Sequence, residues 1–293
     1  MENADLLVRI NQNYNSFSKG QKLLANYIME NYDKAAFITA SRMGHTVGVS
    51  ESTVVRFAYA LGYDGYPELQ SSLQELIRNR LTAVQRIQLT SELEQDEVLT
   101  NVLKSDIANL RATIDTADNV TFNRVVDELF ASNKVYIVGM KSASPLAQFL
   151  GYYLGFVLDN VVTVNASFGD AYESMIRIGP DDTCVGISFP RYSSRTVEAL
   201  SFAKSMGARV VAITDGVFSP IAELADYVLM ARSDMASFAD SLTAPLSLIN
   251  ALIVAASIRR KDDVYERLDQ LESLWKRQKV YISSRESAPE KTK

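Results

Sequence analysis

An all-α domain built on a helical hairpin, followed by a three-layer α/β domain with a parallel sheet, is the multidomain fold class that this sequence predicts. Three observations carry it. Residues 39–61, TASRMGHTVGVSESTVVRFAYAL, read as two short amphipathic helices around a glycine turn. From residue 121 onward, short apolar runs alternate with helical patterns. At 293 residues, with 47% hydrophobic and 22% charged side chains, the chain is long enough for two domains with real cores.

In chain order, the first helix is expected to begin at Ser18, where Ser18-Lys19-Gly20-Gln21 forms a capping box, and to run on through Leu23, Leu24, Tyr27 and Ile28. In the hairpin that follows, Ala40, Met43, Gly44 and Val47 fall at i, i+3, i+4 and i+7, and Val54, Phe57, Ala58 and Leu61 repeat that spacing. Each helix therefore has one apolar face. Gly48 can take the positive φ of a tight turn, Ser50 is a good N-cap, and Val49 with Val54 fits a hydrophobic staple.

With the apolar stripe of the second helix turned inward, Ser52, Val55, Arg56 and Tyr59 point outward. Ser50, Glu51, Ser52 and Thr53 occupy its N-terminus, the end that recognition helices aim at base edges. Arg56 is a candidate for phosphate or guanine. The pattern alone also fits a plain helical hairpin with Arg56 as a solvated charge.

The run VGVSESTVVRFAYALGYDGYPELQ, residues 47–70, resembles the N-terminal domain of the RpiR family of bacterial transcriptional regulators. Gly48, Val49, Ser50, Thr53, Val54, Arg56, Phe57, Leu61, Gly62, Gly65 and Tyr66 carry the likeness. The resemblance implies a helix-turn-helix domain that binds double-stranded operator DNA. Charge gives that reading little help, because residues 1–80 hold eight Lys or Arg against eight Asp or Glu. Phosphate attraction must come from local groups such as Lys19, Lys22, Arg42 and Arg56 and from helix N-termini, which predicts a modest salt dependence.

After a Gly-Tyr-Pro turn at 65–67, residues 68–80 read as a further helix and the polar, aperiodic stretch 81–91 as a linker. Leu99, Val102, Leu103, Ile107, Leu110 and Ile114 then form a stripe along a helix over about 92–117. Such a stripe has to be covered, either by joining the domains or by packing in a dimer. The expected division is 1–80 for the DNA-binding domain, 81–120 for linker and connecting helix, 121–282 for the α/β domain and 283–293 for a flexible polar tail.

Beyond that point VYIVG at 135, VVTV at 161, TCVGIS at 183, RVVAIT at 209 and YVLM at 227 read as strands. Helices are expected between and after them, near 145–158, 170–177, 194–206, 219–225, 240–258 and 262–279. That alternation means a parallel sheet covered on both faces. Ligands of such sheets bind beyond the carboxyl ends of the strands, so the loops after the first and third strands hold the candidate ligand residues. The first loop offers Lys141, Ser142 and Ser144, with Ser144 as expected helix cap and Pro145 in the first turn. The second offers Ser188, Arg191, Ser193 and Ser194, with Arg195 nearby. Both suit an anion, although serines at such places also serve simply as caps.

Residues 134–231 resemble a SIS (sugar isomerase) domain, a flavodoxin-like fold that is the usual C-terminal partner in RpiR-type regulators. ISF at 187–189 and AKSMGARVVAITD at 203–215 carry the likeness, which implies a phosphosugar effector. Ser142, Ser188 and Ser193 match the family's loop pattern. Two departures stand out: Lys141 replaces the second glycine of Gly-x-Gly-(Ser/Ala)-Ser and Ala143 its last serine, while the Ser-Gly pair of Ser-x-Ser-Gly-x-Thr is here Pro190-Arg191.

The rival reading is an aldose–ketose phosphate isomerase, which needs a proton-shuttling Glu or His. Glu173 is the nearest candidate base, and the single histidine, His45, lies in the DNA-binding half. A third reading is an interaction scaffold without ligand. The expectation is a regulator and not an enzyme, with no catalytic residues, no cofactor and no metal site. Its expected partners are operator DNA, a phosphosugar and a second copy of itself, as homodimer or homotetramer, with the pairing placed from about residue 120 onward.

Cys184, the lone cysteine, precludes an internal disulfide, reads as a buried inert thiol and fits a reducing cytoplasm. The N-terminus shows no basic-then-apolar leader, and the richest apolar run, residues 245–258, is shorter than the ~20 residues a membrane-spanning helix needs. A cytoplasmic protein with no membrane partner is therefore expected.

Overall fold

A computed structural model describes residues 6–36, 38–80, 95–164, 171–235 and 239–282. The expected linker at 81–91 and the tail at 283–293 lie outside them. The chain divides into two compact units: Met1–Leu99 with Met235–Asp240, and Thr100–Asp234 with Ser241–Lys293.

The first unit is helical: α1 (Leu6–Asn13), α2 (Lys19–Glu30), α3 (Tyr32–Ala35), α4 (Ala40–Val47), α5 (Glu51–Ala60) and α6 (Tyr66–Arg80). The capping box at Ser18 forms as read: its hydroxyl accepts from Gln21 N–H and the Gln21 side chain accepts from Ser18 N–H. The expectation that the chain's first helix begins there is corrected, because α1 precedes it and buries Leu6 and Ile10. At eight residues, α1 draws its stability from packing against the core. That core also holds Leu24, Ile28, Met43 and Phe57, with Phe17 meeting the Phe57 ring edge-on at 5.1 Å.

Helix α7 (Val98–Asp115), which lies in the second unit from Thr100 onward, is followed by α8 (Asn119–Ala131). Five strands follow: β1 (Val135–Gly139), β2 (Val161–Val164), β3 (Thr183–Ile187), β4 (Arg209–Thr214) and β5 (Tyr227–Met230). All neighbours are parallel, in the order β2-β1-β3-β4-β5. That is the flavodoxin-like order, whose switch point lies between β1 and β3. The remaining helices are α9 (Ser144–Leu154), α10 (Ala171–Met175), α11 (Ser194–Ser205), α12 (Thr243–Arg259) and α13 (Lys261–Gln278).

Alternation along the strands separates two apolar layers. Ile137, Val185 and Ile213 pack with Leu150 of α9 and Leu252 of α12, whereas Tyr136, Cys184 and Val210 pack with Leu200 of α11 on the other face. Burial pushes the Cys184 thiol up to about 12, as an inert core residue requires.

One expected helix does not form. Residues 219–225 are a chain of turns, in which the Ser219 hydroxyl and carbonyl oxygens both accept from Ala222 N–H. A side-chain oxygen competing for the local amide favours a turn over a helix.

Candidate nucleic-acid interface and candidate ligand site

In the first unit, α4 ends at Gly48, whose φ of 78° is the left-handed turn anticipated from sequence. Ser50 caps α5 by accepting from Thr53 N–H, and its hydroxyl also lies 2.9 Å from Ser52 Oγ and 2.8 Å from Thr53 Oγ1. Helix packing at this turn is close: a Cβ on Gly44 would fall 2.7 Å from the Val49 carbonyl oxygen. Alanine there would push the two helices apart.

Val54, Phe57 and Ala58 are buried, which leaves Glu51, Ser52, Arg56 and Tyr59 exposed on the opposite face and Thr53 half-buried. Arg56 Nε donates to the Ser52 carbonyl oxygen at 3.3 Å, so the guanidinium lies along the helix towards its N-terminus. Arg42 is exposed in the first turn of α4, and His45 is exposed in its last turn. A groove of about 440 Å3 is lined by Ser18, Gly20 and Gln21 of α2 and by Val49, Ser50, Thr53 and Arg56. It joins two helix N-termini and one cation, a set that favours a phosphate oxygen. The sequence pointed to Lys19, Lys22 and helix N-termini but not to this groove between α2 and α5; the glycine at position 20, within 3.2 Å of Thr53 Cγ2 for an added Cβ, is the signal that the helices approach there.

In the second unit, β1 and β3 end level with each other, since Gly139 pairs with Ile187. Their outgoing loops therefore leave the sheet side by side at the switch point. The first contains a short 3-10 turn, Lys141–Ala143. Lys141 and Ser142 are exposed. Ser144 does not cap α9: it is already helical, and its hydroxyl accepts from the Gln148 side chain at 3.2 Å. The 3-10 turn has consumed the position a cap would need, and Pro145 stands in the first turn of α9.

In the second loop Ser188 is buried and its hydroxyl accepts from Ser193 N–H at 3.3 Å, folding the loop back on itself. Ser193 is buried at the N-cap position of α11 without making a side-chain cap bond, and Ser194 is exposed. The two cations share a backbone property. Lys141 and Arg191 have positive φ, 54° and 64°, which among the described non-glycine residues they share with Lys279 at the C-terminus of α13, at 53°. Each costs on the order of 1–2 kcal/mol relative to ordinary backbone. These are also the two places where the loop pattern described above has glycine, so the glycine backbone is kept while a cation is added.

Two further residues at this end were missed. Asp215, which follows β4, is buried and its carboxylate accepts from the Tyr192 hydroxyl at 2.9 Å. This bond ties the second loop to the neighbouring strand. Glu173 is exposed on the five-residue α10. Among the described residues there is no group of three or more His, Cys, Asp or Glu that could hold a metal, and no helix long and apolar enough to cross a membrane.

A recognition-type hairpin in one unit and a five-stranded parallel sheet with open loops at its switch point in the other define a class: DNA-binding proteins that carry a sugar-isomerase-type domain. Comparison with known proteins agrees. Residues 4–80 match the helix-turn-helix domain of the rpiR family and residues 128–255 the SIS domain. The chain belongs to the RpiR family of helix-turn-helix transcriptional regulators. An uncharacterized HTH-type transcriptional regulator of Haemophilus influenzae is 26% identical over 278 residues, covering 92% of this chain and 95% of that one. The crystal structure of the sugar isomerase domain of an RpiR transcription factor from Sphaerobacter thermophilus matches with a TM-score of 0.58 at 25% identity, over 60% of this chain and 99% of that one. NanR of Vibrio vulnificus, complexed with ManNAc-6P, matches with a TM-score of 0.56 at 23% identity, over 92% and 98%.

Proposed function

We propose that the protein binds operator DNA as a dimer through the outward face of α5, and that a phosphorylated sugar bound between the β1 and β3 loops changes that binding. The observation that carries the effector half is the level ending of β1 and β3, which sets Lys141, Ser142, Ser188, Arg191 and Ser193 around the switch point. A phosphate meets hydroxyls, free helix amides and two guanidinium or ammonium groups there. That NanR was solved with ManNAc-6P supports the ligand class. The DNA half rests on Arg42, Ser50, Glu51, Ser52, Thr53, Arg56 and Tyr59, together with the groove that reaches the α2 N-terminus.

The reading is binding without turnover, in the cytoplasm where the DNA lies. Relatives carry the name of transcriptional regulators, Glu173 stands exposed outside the two loops, and His45 is in the other unit.

The test is a phosphosugar screen by thermal unfolding. A ligand present at about a hundredfold its dissociation constant stabilises by roughly 2.7 kcal/mol if it binds only the folded state. Lys141→Gly and Arg191→Gly keep the backbone conformation and remove the charges, so each variant should stay folded yet lose most of that gain. Aldose–ketose interconversion by the purified protein, abolished in Glu173→Gln, would overturn the reading.

A further inference from the structure

Helix α7 is built the wrong way round for a helix packed only within its own chain. Its single buried residue is the polar Asn109, 2% exposed, while Leu103, Ile107 and Ile114 are 53%, 48% and 71% exposed. The polar side is pinned. Asn109 Nδ2 donates to the Asp234 carbonyl oxygen and Asn109 Oδ1 accepts from Asp234 N–H, at 2.9 and 3.1 Å. One turn either way, Thr113 Oγ1 accepts from Arg232 N–H at 2.9 Å and the Ser241 hydroxyl donates to the Asp106 carboxylate at 2.5 Å. These bonds fix the rotation of the helix, and they fix it with Leu103, Ile107 and Ile114 facing outward and Leu110 half-buried beside them.

The stripe has a register. Leu103, Ile107, Leu110 and Ile114 are spaced 4-3-4, the d-a-d-a positions of two heptads, with leucine at both d and isoleucine at both a. β-Branched a residues with leucine at d favour two parallel strands. The flanking charges select the same arrangement. Asp106 is at g and Lys104 and Arg111 are at e. Two copies aligned in parallel bring each half-buried Asp106, whose Oδ1 accepts from Ser241 of its own chain, alongside Arg111 of the other copy, five residues on, whereas an antiparallel pair sets the e residues against one another, Lys104 facing Arg111. Arg111 is exposed and has no ion-pair partner among the described residues.

We propose that α7 is a self-association seam: a short parallel two-stranded coil formed with a second copy of this chain. The proposal rests on the dimeric reading above only in requiring two copies, and it extends the expected interface N-terminal of residue 120. Parallel pairing brings the two amino ends of α7 together, the ends from which the chains lead back to residues 4–80 and their DNA-reading helices. A coil of two heptads is too short to hold by itself, so it sets orientation as well as affinity.

The experiment uses the full chain. Ile114→Cys places an a-position thiol opposite its own copy, within the roughly 4.4–6.8 Å Cα separation that a disulfide needs. Buried Cys184 stays out of the reaction. Mild oxidation should convert Ile114→Cys to a covalent dimer, while Ala108→Cys, at the exposed b position, should remain uncrosslinked. Separately, Ile107→Glu should raise the dimer dissociation constant roughly a hundredfold by sedimentation, with an unchanged circular-dichroism spectrum. The proposal is overturned if Ile114→Cys crosslinks no better than Ala108→Cys, or if folded Ile107→Glu dimerises as tightly as the unaltered chain. A dimer that survives both changes removes the seam but leaves the dimeric reading intact; a monomeric unaltered chain removes both.

Discussion

Helices α5 and α7 carry comparable amphipathic patterns and use them in opposite senses. In α5 Val54, Phe57 and Ala58 are buried within the first unit and the polar residues Ser52, Arg56 and Tyr59 are left outside. In α7 the polar Asn109 is buried and the isoleucines and leucines stand outside. Periodicity says that a stripe has to be covered; it does not say by which molecule. What decides is the opposite face. The outer face of α5 is short hydroxyls and one arginine towards a helix N-terminus, groups that suit a phosphate backbone and base edges, whereas the inner face of α7 offers a buried amide that bonds the N–H and C=O of half-buried Asp234 at once.

The largest effect that separates them is on stability. Phe57→Ala should destabilise the first unit by about 3–5 kcal/mol, because its fully buried ring leaves a cavity in a small core. Ile107→Ala, measured at a concentration where the chain is monomeric, should change unfolding free energy by less than about 0.5 kcal/mol. Equal losses in denaturant titrations would mean that the α7 stripe is covered inside one chain, and the contrast would collapse.

Next in size is Asn109→Ala, which removes the two hydrogen bonds that the buried Asn109 amide makes with the half-buried Asp234 backbone. A cost of about 1–3 kcal/mol is expected, together with faster amide exchange at Asp234. Asn109→Leu should not rescue it, since the deficit is one of hydrogen bonds and not of packing.

Smaller still, and functional, is the outer face of α5. Arg56→Ala should weaken binding to a selected operator by roughly 1–3 kcal/mol with no change in the unfolding curve, as read by anisotropy at fixed salt. Tyr59, 58% exposed, provides the companion variant. Unaltered affinity in a folded Arg56→Ala protein would return α5 to an ordinary helical hairpin.

Local chemistry made much of this legible. The Ser18 box, the Ser50 cap and the Gly48 turn are decided within four residues, and each was readable because a side chain names its own backbone partner. The strands were legible because continuous apolar runs between polar punctuation suit only a buried parallel sheet. Three elements were not. Helix α1 is only eight residues long and is held by two buried anchors, Leu6 and Ile10, so only the assembled core reveals it. Residues 219–225 carry a helical composition that Ser219 overrides locally. Ser144 reads as a cap but lies one residue too late, inside the helix, because a 3-10 turn precedes it. At the ligand site the residue types were readable and the conformations were not: the left-handed backbone at Lys141 and Arg191, and the Asp215–Tyr192 bond between strand end and loop, depend on register between β1, β3 and β4.

The proposed function requires linkage: an anion held at the β1 and β3 loops alters the DNA affinity set by α5. The most direct measurement takes a duplex selected by the full chain from a random pool and titrates it by anisotropy with and without the phosphosugar that gives the largest thermal shift. The DNA dissociation constant should change by at least about fivefold, with an equal change in phosphosugar affinity when DNA is present, because coupling is reciprocal. Lys141→Gly and Arg191→Gly should erase the coupling and leave DNA binding without ligand unchanged. A phosphosugar that binds tightly at these loops and leaves DNA affinity untouched, or a coupling that survives both substitutions, would contradict it.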